Sequence, residues 1–112
     1  MTTSTPSLYQ QQARQQLLAL CQAMLTGELS FFEGSLQVCV LHGMVGIADS
    51  DPDVQALALI VSETDHLPPQ AIQHRWSAAA LVRLQPEFVK TEEWARGFAD
   101  QACRNLVVKL SG

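Results

Sequence analysis

Apolar residues recur three and four positions apart along most of the chain, and this spacing predicts helices. The first predicted helix covers residues 7–26. Its apolar stripe consists of Leu17, Cys21, Met24 and Leu25, with Ala13, Arg14 and the glutamines largely on the opposite side. Gly27 follows the last turn and is suited to the left-handed conformation of a helix C-cap. No segment shows the alternation of apolar and polar residues that predicts a strand.

A second helix is predicted from the segment 30–33, which has the form of a capping box. Ser30 can accept a hydrogen bond from the amide of Glu33, and the Glu33 carboxylate can return to the Ser30 amide. The helix continues to about His42 or Met44, and glycines weaken its end. Its predicted inner face consists of Phe32, Leu36, Cys39 and Val40.

A third helix is predicted to begin at Asp51, because aspartate is a good N-cap and Pro52 suits the first helical position. Asp53 lies near the positive end of the helix dipole. The apolar positions of this helix are Val54, Leu57, Ala58 and Val61, and the additional Leu59 and Ile60 predict burial on more than one side. Two consecutive prolines in the segment 67–69 end the helix.

The last third of the chain predicts further helices. A short one is predicted after Pro69, and Ser77 is suited to cap another over residues 78–84. The longest helix is predicted to open at Pro86 and to extend to about Leu110, since proline is favoured in a first helical turn. Together these elements predict an all-α fold, a compact helical bundle of four main helices plus one or two short helices.

The composition is typical of one folded domain. The chain has 112 residues, of which 47% are apolar and 16% charged, so it can form a core without metals or disulfides. Residues 1–6 are expected to form a disordered tail, and residues 7–112 a single helical domain. The N-terminus does not have the features of a signal peptide, and the longest apolar stretch is too short to span a bilayer. Three widely spaced cysteines predict buried, reduced thiols, so a cytoplasmic protein is expected.

Charge is strongly segregated along the chain, because residues 15–74 contain seven acidic residues and no lysine or arginine. The formal charge is −7 over this segment and +3 over the rest, which gives the −4 of the whole chain. The acids cluster near the two ends of the third helix. A negative surface there repels nucleic acid and membranes and favours a basic protein partner. The predicted partner-binding residues are Asp49, Asp51, Asp53, Glu63, Asp65 and His66.

Two of these clusters resemble fragments of metal sites. Glu63 and His66 form a single Glu-x-x-His motif, whereas helical di-metal sites use two such motifs and two further glutamates. The segment 49–53 lacks the glycine of a calcium loop, and Ile60 stands where a bidentate glutamate is required. Helix capping and a solvated helix end explain both clusters. No metal, cofactor or catalytic residue is therefore predicted, and the chain is interpreted as a protein without enzymatic activity.

Several segments together resemble a family of small, stand-alone, uncharacterised bacterial proteins. They are residues 27–34, 51–53, the Ser-Glu-Thr-Asp-x-Leu-Pro segment at 62–68, Trp76, 86–87 and 93–95. The resemblance covers roughly residues 17–105 and implies a bacterial origin and a stand-alone domain, but no activity or catalytic residue. Small acidic helical proteins of bacteria are often immunity proteins that block a toxin. The colicin-nuclease immunity proteins are similar in size and charge, by analogy rather than by shared motifs.

One leading hypothesis and two alternatives follow. The leading hypothesis is a protein-interaction module, most concretely an immunity or antitoxin protein that masks a basic toxin surface with its acidic residues. The first alternative is a small metal- or ligand-binding bundle that uses Glu28, Glu33, Glu63 and His66. The second alternative is a homo-oligomeric helical domain in which the apolar third helix forms an interface.

Overall fold

The computed structural model describes residues 7–111, and this part of the chain is helical and contains no strand. Its four α-helices are α1 (Leu8–Thr26), α2 (Phe31–Leu41), α3 (Pro52–Glu63) and α4 (Ala78–Ser111). Short 3₁₀ helices follow α2 (His42–Val45) and precede α4 (Gln70–Arg75). The prediction of an all-α helical bundle is thus confirmed. The tail predicted over residues 1–6 lies outside the described residues.

Local side chains determine three of the four helix starts. Ser7 and Gln10 form a reciprocal capping box at the start of α1, and Gly27 ends this helix with a φ of 84°. Asp51 Oδ1 accepts hydrogen bonds from two amides in the first turn of α3, at 2.8 and 3.2 Å. Ser77 Oγ accepts from an amide in the first turn of α4 at 3.1 Å. These are the positions at which the sequence predicts helix starts, since each offers an oxygen to otherwise free amides.

The start of α2 is stabilised by a distant part of the chain. Ser30 Oγ accepts from the amide of Glu33 at 3.0 Å, which confirms half of the predicted capping box. The Glu33 carboxylate, however, accepts from the amide of Gln70 at 2.9 Å. Glu92 of α4 supplies the further acceptors, because its two carboxylate oxygens accept from the first two amides of α2, at 2.8 and 2.9 Å. This carboxylate therefore ties α4 to the positive end of α2.

Helix α4 is one continuous helix of 34 residues, so the predicted helix start at Pro86 is wrong. At 1.5 Å per residue it is about 51 Å long, and the molecule measures 60 × 29 × 24 Å. A proline in a helix interior costs about 3 kcal/mol, since it lacks an amide and crowds the preceding turn. Pro86 is exposed, so water can reach the carbonyl group left without a partner. Contacts just beyond it support the helix, including the edge-to-face pair of Phe88 with Phe32 at 5.4 Å.

The core lies where all four helices meet, at the second half of α4. The largest fully buried side chains are Leu17 of α1, Leu57 and Ile60 of α3, and Leu106 of α4. Burying each such side chain stabilises the fold by about 1.5–3 kcal/mol. The buried residues of α4 are Ala95, Ala99, Ala102, Cys103, Leu106 and Leu110. The three alanines allow neighbouring helices to approach closely, whereas the half of α4 before Ala95 contributes no buried residue.

Helix α2 faces the core with a different side from the one predicted. Its buried residues are Phe31, Phe32, Gly34, Ser35 and Val38. Of the predicted inner face, Leu36 and Cys39 are only half-buried, and Val40 is 76% exposed. Gly34 explains this orientation, because a Cβ atom there would lie 2.3 Å from Met24 Sδ. The close approach of α1 and α2 at this glycine leaves apolar residues of α2 on the surface.

We expect Gly34→Ala to lower the free energy of unfolding by about 1–2 kcal/mol net. The added methyl group must displace the buried Met24 side chain, and this overpacking outweighs the roughly 1 kcal/mol that alanine gains over glycine in a helix. Gly97→Ala is the matched control, since a Cβ there meets nothing within 4 Å, and it should stabilise the fold by about 0.5–1 kcal/mol. Urea unfolding measures both changes. Equal stabilities of the two variants would show that Met24 moves aside without cost.

Candidate partner-binding surface

The predicted binding residues lie in two clusters at the ends of α3, which has 12 residues and is about 18 Å long. The first cluster, at the start of the helix, consists of Asp49, Asp51 and Asp53. The second cluster, at its end, consists of Glu63, Asp65 and His66. The structure thus places the six residues as their order in the sequence implies, but their environments differ.

Lys109 of α4 binds two acids of the first cluster. Its Nζ donates to Asp51 Oδ2 at 2.7 Å and to Asp53 Oδ2 at 2.6 Å. Asn105 Nδ2 donates to Asp53 Oδ1 at 2.9 Å. The side chains of Asp51 and Asp53 are only 17% and 12% exposed. A lysine from outside the cation-free segment 15–74 therefore compensates these two acids, and both fasten α3 to α4.

The sequence contains a signal for this contact that its charge pattern alone does not reveal. Antiparallel neighbouring helices place the first turn of one beside the last turn of the other. An acid at an N-terminus and a lysine at a C-terminus are each favourable for the helix dipole. Asp53 and Lys109 occupy such positions in α3 and α4, so their pairing could be anticipated once these helices were known to be neighbours.

The contact changes the ionisation of its members. Burial raises the pKa of Asp51, but hydrogen bonds from Lys109 and from two amides of α3 outweigh it and hold this pKa below the usual aspartate value. Hydrogen bonds to Asp51 and Asp53 raise the pKa of Lys109. Both shifts favour the charged forms, so the ion pair persists over a wide pH range.

Asp49 remains accessible, with a side chain that is 97% exposed. Its Oδ1 lies 3.1 Å from Nε2 of His42, whose Nδ1 lies 2.7 Å from the carbonyl oxygen of Ile47. Both neighbours of the imidazole are acceptors, so both contacts are hydrogen bonds only when the ring carries two protons. His42 is only 7% exposed, as expected for a histidine at the edge of the core. It links the 3₁₀ helix after α2 to the loop before α3.

The second cluster is the more open of the two. The side chain of Asp65 is 87% exposed and that of His66 is 58% exposed. His66 Nε2 lies 2.9 Å from Glu87 Oε2 of α4, and its Nδ1 lies 4.0 Å from Asp65 Oδ1. Glu63 is exposed and lines a shallow cleft with Lys90, although no ion pair joins it to any residue in the described part of the chain. Three carboxylates at the ends of α3 therefore lack a lysine or arginine partner within 7–111.

A neutral strip on α3 connects the two clusters. Leu59 and Ile60 are both expected from the sequence to be buried. Ile60 is fully buried, but Leu59 is 45% exposed. Exposed residues recur three and four positions apart and therefore lie along one side of the helix. This side of the helix, together with the exposed acids just before and just after α3, is named the α3 face. It comprises Asp49, Gln55, Leu59, Ser62, Glu63 and Asp65.

The structure does not assemble the ligands considered for a metal site. Within residues 7–111, no group of three or more His, Cys, Asp or Glu side chains is placed to hold a metal ion. The ligands considered from the sequence were Glu28, Glu33, Glu63 and His66. In the same range no helix is long and apolar enough to cross a membrane.

The cysteines are free thiols. Cys21 and Cys103 are buried in the core, and Cys103 Sγ donates to Met24 Sδ at 3.9 Å. The neighbouring Cys21 thiol, together with burial, raises the pKa of the Cys103 thiol. A protonated, buried thiol is a poor nucleophile, so Cys103 acts as a packing residue.

Comparison with known proteins adds no family to these observations. No protein-family model, curated protein sequence or solved structure matches the chain.

Proposed function

We propose that this protein is a protein-interaction module that binds a basic protein partner through the α3 face. The supporting observation is the arrangement of that face, with exposed carboxylates at both ends and the exposed Leu59 between them. Protein interfaces commonly combine an apolar centre with a polar rim. Asp49, Glu63 and Asp65 have no lysine or arginine partner within the described chain, so the cations of a partner can neutralise them.

Electrostatics favours a basic partner over a neutral one. Lys109 offsets only one of the seven negative charges in the segment 15–74. The remaining field attracts a positive surface, accelerates its association and disfavours acidic competitors. The most specific form of the proposal is an immunity or antitoxin protein that masks a basic toxin surface. The small size and the acidity of the chain support this form.

Charge reversal tests the contribution of the acids. A variant with Asp49→Lys, Glu63→Lys and Asp65→Lys should associate with the partner at least about tenfold more slowly at low salt, because steering is lost. The difference should diminish at high salt, where exposed charges are screened. The partner is first captured from the native host with the tagged chain and identified, and surface plasmon resonance then measures the association rates.

Matched variants separate this surface from general charge effects. Glu93→Lys reverses an exposed acid of α4 outside the α3 face and should slow association much less. Leu59→Ala should mainly accelerate dissociation, about tenfold, since it removes the apolar centre. If the triple reversal and Leu59→Ala both leave binding unchanged, the α3 face is not the docking site.

A further inference from the structure

We infer that this chain binds a second copy of itself, with an exposed ridge on α4 of one copy in an apolar groove that α2 of the other forms with Gln16 of α1 and the segment 69–71. The inference concerns surfaces other than the α3 face and does not depend on the proposed function. It begins from the apolar residues that α2 leaves outside the core.

The groove is a concave surface with a volume of about 510 Å³. Its apolar lining consists of Leu36, Val40, Leu41, Pro69 and Ala71. Glu33 is the charged residue of the lining, and two glutamines complete the rim. Val40 is 76% exposed and shares this lining with Leu36 and Leu41, so it belongs to an apolar patch of the kind that marks an interaction surface. All the lining residues belong to the segment 15–74, so the groove carries one carboxylate and no cation.

The ridge begins on the half of α4 that contributes nothing to the core and ends just past Ala95, the first buried residue of this helix. Val82 is 69% exposed and Val89 is 55% exposed. Arg96 follows after another seven residues, so the three side chains lie along one line of the helix. Arg96 is exposed, and no carboxylate in the described part of the chain forms an ion pair with it. We call these three residues the α4 ridge.

The charges and spacings of the two surfaces match. Along α2, Val40 follows Glu33 by seven residues, or about 10.5 Å. Along α4, Arg96 follows Val89 by the same interval. If the two helices pack antiparallel, Arg96 of one copy lies on Glu33 of the other while Val89 lies on Val40. One Glu33 oxygen accepts from Gln70, so the second oxygen can accept from the guanidinium group. The contact therefore covers the exposed valines and neutralises both charges.

A two-fold pair explains how so small a contact becomes stable. Specific interfaces generally bury at least about 1,000–1,200 Å² in total, and making the same contact twice doubles the area that is buried. Each copy carries both surfaces, so an isologous dimer makes the contact twice. A helix from an unrelated protein would have to supply the same spacing of valine and arginine, whereas the second copy already has it.

Sedimentation velocity of the purified chain over a range of micromolar concentrations tests the inference. The wild-type chain should form a dimer whose fraction falls at high salt. Val40→Arg and Val89→Glu should each weaken dimerisation about tenfold or more, because each places an unpaired charge in the contact. Both valines are exposed, so neither change should unfold the chain, and circular dichroism checks this. The combination Val40→Arg with Val89→Glu should restore the dimer, since the new charges meet across the contact.

Val108→Glu is the matched control. Val108 is 72% exposed on the last turns of α4, outside the ridge, so this change should leave dimerisation unaltered. A wild-type chain that stays monomeric overturns the inference. The occupant of the groove would then be a helix of another protein. A dimer that is insensitive to both single changes also overturns it, as does a double variant that fails to recover.

Discussion

Replacing Glu92 with alanine should lower the free energy of unfolding by about 2–4 kcal/mol, which is a large effect for a partly exposed side chain. Its carboxylate accepts two hydrogen bonds from the first amides of α2, at 2.8 and 2.9 Å. Bonds to a charged acceptor contribute about 1.5–3 kcal/mol each, and they are not fully additive. Both amides belong to buried phenylalanines, so water replaces the carboxylate only in part.

Urea unfolding of Glu92→Ala measures the loss, and hydrogen exchange locates it. Exchange of the amides of Phe31 and Phe32 should accelerate more than exchange elsewhere in α2. Glu93→Ala is the matched control, because Glu93 is adjacent, exposed and without an ion-pair partner in the described chain. It should change stability by no more than about 0.5 kcal/mol. Equal losses in the two variants would mean that Glu92 does not cap α2.

Lys109→Met should lower the free energy of unfolding by about 1–3 kcal/mol near neutral pH. The substitution keeps much of the aliphatic stem but leaves Asp51 and Asp53 without their shared cation. These carboxylates are mostly buried, which raises the cost, while Lys109 is 40% exposed, so water moderates it. Lys90→Met is the control, since Lys90 is exposed and forms no ion pair with any described residue.

The pH dependence of this effect follows from the directions of the pKa shifts. The folded-state pKa of Asp51 is lowered, so its contribution is present above the usual aspartate pKa of about 3.9 and is lost as the pH falls through the folded value. The folded-state pKa of Lys109 is raised, so its contribution is present below about 10.4 and is lost as the pH rises through the folded value. The stability difference between wild type and Lys109→Met should be flat near neutrality and shrink at both extremes. If this stability difference stays the same at acid pH, the loss comes from packing of the lysine stem and not from the ion pair.

The sequence predicts the parts of the fold that depend on local chemistry. The starts of α1, α3 and α4 are found because Ser7, Asp51 and Ser77 act on amides within three residues. The helix start predicted at Pro86 is wrong because contacts of α4 with α2 outweigh a local preference. The spacing of apolar residues cannot reveal these contacts, since their partners lie about sixty residues away along the chain.

The candidate surfaces likewise combine features that the sequence predicts with contacts between distant residues that it does not. The acids at the ends of α3 are visible in the sequence, but the pairing of Asp51 with Lys109 spans 58 positions. The orientation of α2 is also hidden, because its apolar residues exceed what one helix face can hold. Gly34 selects the buried side by allowing α1 to approach, and only the packed structure shows that Val40 then faces outward.

Because Glu92 and Lys109 lie on one helix, partial unfolding of α2 and of α3 is coupled to the docking of α4. The first turn of α2 depends on Glu92, and the side chain that caps α3 is held by Lys109. Neither helix start can open while α4 stays docked, and α4 cannot detach without releasing both. Partial unfolding from these ends is therefore suppressed, and α2, α3 and the part of α4 from Glu92 onward should lose their structure in one cooperative step.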